Sequence, residues 1–224
     1  MSNAQDAPAP GLRERKKQHT RQLIAETARQ LFAERGFEHV TVAEVARTAD
    51  VSQQTVFNYF ATKEDLVFWR LGAFEDDLLA AVRDRPPGES ALAAFRRFLL
   101  GQRGLLRSPR PEAREQLAAL MRTIDESPAL LAREQQIFDR YTDALAALLA
   151  EEAPRDGGDL EALVAAHAMT GVHRALVRHA RRRVLAGARH PALAEEIHTH
   201  GEQAFALLEL GLGSYATRTP PTSD

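Results

Sequence analysis

Between Thr41 and Asp65 the chain carries helix-start signals so closely spaced that only short helices fit between them. Thr41-Val-Ala-Glu44 is a capping box, in which a hydroxyl and a carboxylate three residues on satisfy each other's orphan backbone amides. Asp50-Val51 breaks that helix, and Ser52 caps a second one running from Gln53 to Phe60. Thr62-Lys-Glu-Asp65 is another capping box and predicts a long fourth helix through about Arg83. Helices of roughly seven to nine residues are not stable alone in water, so both short ones need partners. The preceding segment supplies one: Leu23, Ile24, Thr27, Ala28, Leu31 and Phe32 share a face of a helix that ends at Gly36. Two short helices joined by three or four residues, packed between longer ones, are the helix-turn-helix geometry.

The rest of the chain also reads as helix. No sustained alternation marks a strand, and Ala, Leu, Arg and Glu dominate the 224 residues, so the fold class expected is all-α. Breaks fall at Pro86-Pro87-Gly88, around Ser108-Pro109-Arg110-Pro111, at Ser127-Pro128, from Pro154 to Gly158 and from Gly187 to Pro191. They predict helices over 89–103, 111–125, 128–152, 159–185 and 191–213. The division expected is a disordered lead at 1–12, a three-helix head at 13–66, a larger helical domain at 67–215 and a tail at 216–224.

Composition narrows the function classes. Cysteine is absent, so thiolate metal sites and cysteine nucleophiles are excluded. No uncharged apolar run approaches the roughly 18 residues of a membrane-spanning helix, and no secretory signal is visible at the N-terminus. The setting expected is the cytoplasm. A net charge of −2 argues against general polyanion coating. Yet Arg13, Arg15, Lys16, Lys17 and Arg21 face only Glu14 among acids over residues 13–21. Such a cluster is either a solvated helix end or a phosphate-binding arm, and the helix-turn-helix beside it favours the arm.

The second short helix shows which side is free. Val56, Tyr59 and Phe60 cluster toward the core, with Gln54 and Asn58 opposite and Gln53, Thr55 and Phe57 on the flanks. Amide and hydroxyl groups of this kind suit base edges, Gln and Asn bond adenine bidentately, and an exposed Phe can meet a thymine methyl.

Residues from about Arg21 to Leu66 resemble the DNA-binding domain of the TetR family of transcriptional regulators. The resemblance rests on Ala28-x-x-Leu31-Phe32-x-x-x-Gly36-Phe37, Thr41-Val-x-Glu44-Val45-Ala46, Val51-Ser52-x-x-Thr55-Val56-Phe57-x-Tyr59-Phe60 and Lys63-Glu64-x-Leu66. Two positions depart from the family's pattern: Asp50 stands where Gly is usual, and Phe57 where Tyr is common. Asp tolerates a left-handed backbone, whereas Phe57 forfeits a hydroxyl contact to phosphate. The resemblance implies that Thr41 and Lys63 touch phosphate. It implies that Gln53, Gln54, Thr55, Phe57 and Asn58 enter the major groove, with Ser52 in the same DNA-binding set. It further implies a homodimer acting on an inverted-repeat operator in double-stranded DNA, most often as a repressor.

Beyond the head, Ala168, Gly171 and Ala175, and Gly201, Ala204 and Leu208, lie at helix-packing spacing. They serve either intrachain packing or, as the resemblance favours, a four-helix dimer interface. Phe68, Trp69, Phe98, Met121, Phe138, Tyr141 and Met169 read as ordinary core or, together, as the lining of a cavity for a small apolar or aromatic effector. A constitutive DNA binder, or a helical protein-interaction adaptor, is the alternative. Phosphate-loop, zincin and nucleophile-elbow motifs are missing, and Gly211-x-Gly213-x-x-Ala216 ends a helix without a preceding strand. His167, His173 and His179 recur every six residues and turn away from one another, as do His198 and His200. Neither enzyme, cofactor nor metal site is therefore expected.

Overall fold

The computed structural model describes residues 11–102, 111–152, 158–188 and 192–212, whose regular elements are all helices. Residues 1–10 and 213–224, and the breaks expected at Ser108-Pro109-Arg110 and Pro154 to Gly157, lie outside the described residues. The helices are α1 (Leu12–Arg35), α2 (Val42–Thr48), α3 (Gln53–Tyr59), α4 (Leu71–Arg83), α5 (Ala91–Gly101), α6 (Pro111–Asp125), α7 (Pro128–Glu152), α8 (Gly158–Leu185) and α9 (Ala192–Leu212). The chain divides into two compact units at Trp69/Arg70.

In the first unit, α1 packs on α2 and α2 on α3. Ile24, Ala25, Ala28 and Phe32 of α1 are buried with Phe37, Val40, Val45, Ala46, Val56, Phe60 and Leu66. Leu23, expected on the inward face, is instead exposed, because the buried stripe follows the i, i+4, i+8 row through Ile24. Both short helices carry the caps read from the sequence. Thr41 Oγ1 accepts from the Glu44 amide while the Thr41 amide donates to Glu44 Oε2 at 2.9 Å. The Ser52 side chain accepts from the Thr55 amide at 3.0 Å. The bonds from Thr41, with the Arg35 guanidinium 2.8 Å away, pull the Glu44 carboxyl down to about 2.

The turn between α2 and α3 is closed by two backbone bonds, Val51 N–H to Ala46 O and Asp50 N–H to Arg47 O. Together they form a Schellman motif, which places Asp50 in the left-handed position usually given to glycine. Its φ of +53° is the one positive value at a non-glycine among the described residues.

The fourth helix departs from expectation. The Thr62/Asp65 box forms, but it starts only a 3-10 turn, Glu64–Leu66, and α4 begins anew at Leu71. Leu66 and Phe68 are both buried. Val67 keeps right-handed helical dihedrals and the Phe68 amide still bonds to the Glu64 carbonyl, so the interruption falls after Phe68 and before α4. Val67 and the aromatic pair that follows are also poor helix formers.

The second unit is organised on α7 and α8, with α9 against α8 and α5, α4 against α5 and α7, and α6 against both long helices. Its core holds Leu78, Val82, Leu92, Phe95, Phe138, Tyr141, Leu145, Leu149, Met169 and Phe205. One polar pair inside it is Thr142 with Thr170, whose Oγ1 atoms meet at 2.9 Å across the α7–α8 seam. Buried Arg85 donates to the Val82 and Glu89 carbonyls and pairs with Glu152. Gly201 belongs to this intrachain packing, since a methyl there would meet the Leu100 side chain at 2.5 Å.

Asp50 offers a direct test of the turn. Asp50→Gly should raise the stability of the head by about 0.5–1 kcal/mol, and Asp50→Val should lower it by roughly 1–2 kcal/mol, because a branched side chain is strained in the left-handed region. Amide exchange of residues 42–60 in the full chain reads this locally. Equal protection in both variants would contradict the turn described.

Candidate nucleic-acid interface and cavity

Two side chains of α3 and its C-cap anchor it from below: Val56 and the cap Phe60 are buried and Tyr59 half-buried. Gln53, Gln54, Phe57 and Asn58 are exposed on the other side, and Thr55 is half-buried at the edge. Phe57 is 48% exposed, far more than a Phe needs to serve as core. The polar groups are ordered before any partner arrives. Gln54 Nε2 donates to Asn58 Oδ1 at 3.1 Å, one turn along, which leaves the Asn58 amide nitrogen as a directed donor. Ser52 and Thr55 hydroxyls lie 2.8 Å apart, so both are engaged at the N-cap. Thr41 is likewise occupied, with its hydroxyl donating to Glu44 Oε2 at 2.9 Å.

Cations border this surface. Arg13, Arg15, Lys16, Lys17 and Arg21 are all exposed along the first turns of α1. The Arg21 guanidinium stacks 5.6 Å from the centre of the Phe60 ring, linking the basic stretch to the base of α3. Lys63 is half-buried, with its ammonium 4.1 Å from the centre of the Phe37 ring. This contact needs the fold to bring Lys63 and Phe37 together, and no local spacing announces it.

The second unit holds a cavity of about 190 Å³ between α4, α5, α8 and α9. Phe74, Leu99, Leu100, Leu176, Val177 and Ile197 supply its apolar wall, with Gln102, His173 and His198 as polar groups. The volume exceeds the roughly 150 Å³ cavity that holds benzene. The seven residues singled out in the sequence do not line it. Phe138 and Tyr141 stand behind His173, and Phe98 stacks 5.4 Å from Phe74. Met169 is deep core, Met121 is half-buried on α6, and Phe68 and Trp69 belong to the first unit. The lining consists mostly of aliphatic residues that any core would contain, and His173, the informative member, has no sequence signature.

His173 sits among the rings of Phe74, Phe138 and Tyr141, with Nδ1 2.8 Å from the Tyr141 hydroxyl. Burial pushes its pKa down to about 4 and pushes the Tyr141 phenol up, so both groups are neutral near pH 7. With Nδ1 engaged by Tyr141, the neutral imidazole keeps one ring nitrogen, Nε2, for a small molecule in the cavity.

Comparisons with known proteins point the same way as the head. A family model described as "Bacterial regulatory proteins, tetR family" matches residues 24–68. The HTH-type transcriptional regulator TcmR of Streptomyces glaucescens is 33% identical over 154 residues, covering 68% of this chain and 67% of TcmR. The solved structure of the fatty acid degradation regulator FadR from Bacillus halodurans has a TM-score of 0.51 at 20% identity, covering 88% of this chain and 97% of that one. A SmeT–triclosan complex has a TM-score of 0.51 at 16% identity, covering 92% and 100%. Identities this low show a shared fold.

The neutral His173 makes stability depend on pH. In the unfolded chain an ordinary His protonates near 6.5, whereas the folded state resists until about 4. The unfolded state therefore binds more protons in that window, and stability that is full above pH 6.5 falls as pH drops toward 4, by on the order of 3 kcal/mol. His173→Phe should flatten that part of a melting-temperature profile. An identical slope in the variant would show that His173 is not the titrating group.

Proposed function

The chain belongs to the TetR family of bacterial transcriptional regulators, DNA-binding proteins rather than enzymes, and we propose that it is a cytoplasmic, dimeric repressor released from an inverted-repeat operator by a small, largely apolar molecule. The observation that carries the DNA reading is the α3 surface, with Gln53, Gln54, Phe57 and Asn58 exposed beside a basic helix end. In this reading Gln53, Gln54, Thr55, Phe57 and Asn58 enter the major groove, while Thr41, Ser52, Lys63 and the cations of α1 hold the backbone.

Two exposed apolar faces support the dimer. Leu160, Leu163 and Val164 project from α8, and Leu207 and Leu210, 74% and 90% exposed, from α9. Gly171 and Ala175 are exposed on the same α8, so a second helix can approach closely there. Solvent-facing leucines in such a cluster mark an interaction surface, and a symmetric pair is the simplest way to cover it. On α9 the interface uses Leu207 and Leu210 rather than Gly201, which is committed to Leu100 inside the chain.

The cavity between α4, α5, α8 and α9 is the proposed effector site, with His173 as the polar anchor. The SmeT–triclosan complex supports the reading that this fold accommodates a small aromatic compound. An effector acts only through its different affinity for DNA-competent and DNA-released arrangements, typically 1–3 kcal/mol of coupling.

Selection from random oligonucleotides with the purified protein should yield a dyad-symmetric site. Asn58→Ala should cost about 1–3 kcal/mol and relax preference at particular base pairs. Lys63→Ala should weaken binding to all sequences and lower the salt slope by about one per half-site. A selected site without a dyad, or a base-preference change from Lys63→Ala with none from Asn58→Ala, would reverse the assignment.

A compound library screened against the operator complex should contain ligands that lower DNA affinity by roughly 5–150-fold. The same ligands should change the emission of Trp69, the chain's single tryptophan. Ligands that release DNA from the wild type should lose potency against His173→Phe. If no compound alters emission, melting temperature or operator binding, the protein is a constitutive binder.

A further inference from the structure

Within one helix the histidines of this chain point apart, but the packing of α8 against α9 joins residues that no single-helix spacing connects. α8 ends in a Schellman turn, with Ala188 N–H bonded to Arg183 O and Gly187 N–H to Val184 O. Across the seam His179 of α8 faces Glu196 and His200, which lie one turn apart on α9. The His179 Nε2 is 2.8 Å from Glu196 Oε1, and the His179 and His200 rings stand edge to face with centres 5.0 Å apart. One donor atom from each of the three residues lies within 4.8 Å of the others, the one such trio among the described residues.

We propose that His179, Glu196 and His200 bind one divalent transition-metal ion, zinc in the first instance, and that the ion clamps α8 to α9. Two imidazoles and a carboxylate form the nitrogen-and-oxygen donor set of zinc and its neighbours, whereas magnesium and calcium require oxygen donors. Ligand distances of about 2.0–2.2 Å put tetrahedral donors roughly 3.3–3.6 Å apart, so rotation about side-chain bonds closes the trio without moving either helix. His179 and Glu196 are half-buried and His200 is exposed, so the fourth position opens to water. Arg183 donates to Glu196 Oε2 at 3.0 Å. Arg183 Nε also lies 2.9 Å from Oε1, so the ion would displace the guanidinium from that oxygen, while the contact on Oε2 remains and orients the carboxylate.

The inference stands on the α8–α9 seam alone and does not depend on the effector reading. The clamp would join the two helices that contribute Leu176, Val177, Ala180, Ala194 and Ile197 to the cavity wall.

The test uses the full chain without a histidine tag, stripped by chelator and titrated calorimetrically with zinc chloride, with cobalt(II) absorption as a second readout. One ion per chain should bind, and the melting temperature should rise by roughly 5 °C at a hundredfold excess over Kd. Loss of even an outer-sphere partner costs about 10–100-fold in affinity, so His200→Ala and Glu196→Gln should each weaken binding by at least about tenfold. His167→Ala, which removes an exposed histidine elsewhere on α8, should change nothing. His200 is exposed, so its variant is expected to keep the fold, and circular dichroism checks this for each protein. Absence of saturable binding by the wild type, undiminished affinity in His200→Ala, or equal weakening by His167→Ala would overturn the proposal.

Discussion

A seven-residue helix cannot hold its hydrogen bonds against water, and the head of this protein contains two of them. Everything on the α3 surface depends on the burial of Val45, Ala46, Val56 and Phe60 in the core completed by Ile24, Ala28 and Phe32 of α1. Burial alone would leave the helix ends with unpaired amides, so the caps at Thr41 and Ser52 are the second half of the same solution. The Schellman turn at Asp50 then directs α3 away from α2 without spending a residue on a longer loop. The outcome is a short rigid element whose outward side chains are free for recognition because its inward ones carry the stability.

The second unit meets a different constraint. Long helices supply their own cooperativity, so its problem is uniqueness of packing rather than helix formation. Buried polar groups address this. Thr142 with Thr170, and Arg181 with Glu134, join α7 to α8 in one register, while Arg85 and Glu152 tie the end of α7 to the end of α4. A shifted register would leave those groups unpaired in a low-dielectric interior, at far greater cost than a shifted leucine. His173, half-buried, differs in being useful: the aromatic rings that keep it neutral also hold it at the cavity wall.

The head was legible because its signals are local. Thr41/Glu44 and Ser52 announce helix starts within four residues, and the capping bonds form where the spelling puts them. Helices α5 to α9 follow their proline and glycine punctuation for the same reason. The reading failed where burial overrode local preference. The Thr62 box is real, yet the turn it starts gives way before α4, in a stretch where Leu66 and Phe68 are both buried and Val67, Phe68 and Trp69 favour helix only weakly. Leu23 sits on the correct helix but outside the stripe that tertiary contact selects.

What the sequence alone determined is therefore the all-helical class, the helix-turn-helix with its caps, and the identity of the outward residues on α3. Each of these rests on interactions between residues a turn or less apart. Tertiary structure decided what depends on distant pairs: Lys63 over Phe37, Arg21 over Phe60, Gly201 against Leu100, and His179 facing Glu196 and His200. It also decided which ordinary aliphatic residues enclose a cavity. Residues far apart in a chain meet only through the summed packing of whole helices, and no spacing within a single helix encodes that sum.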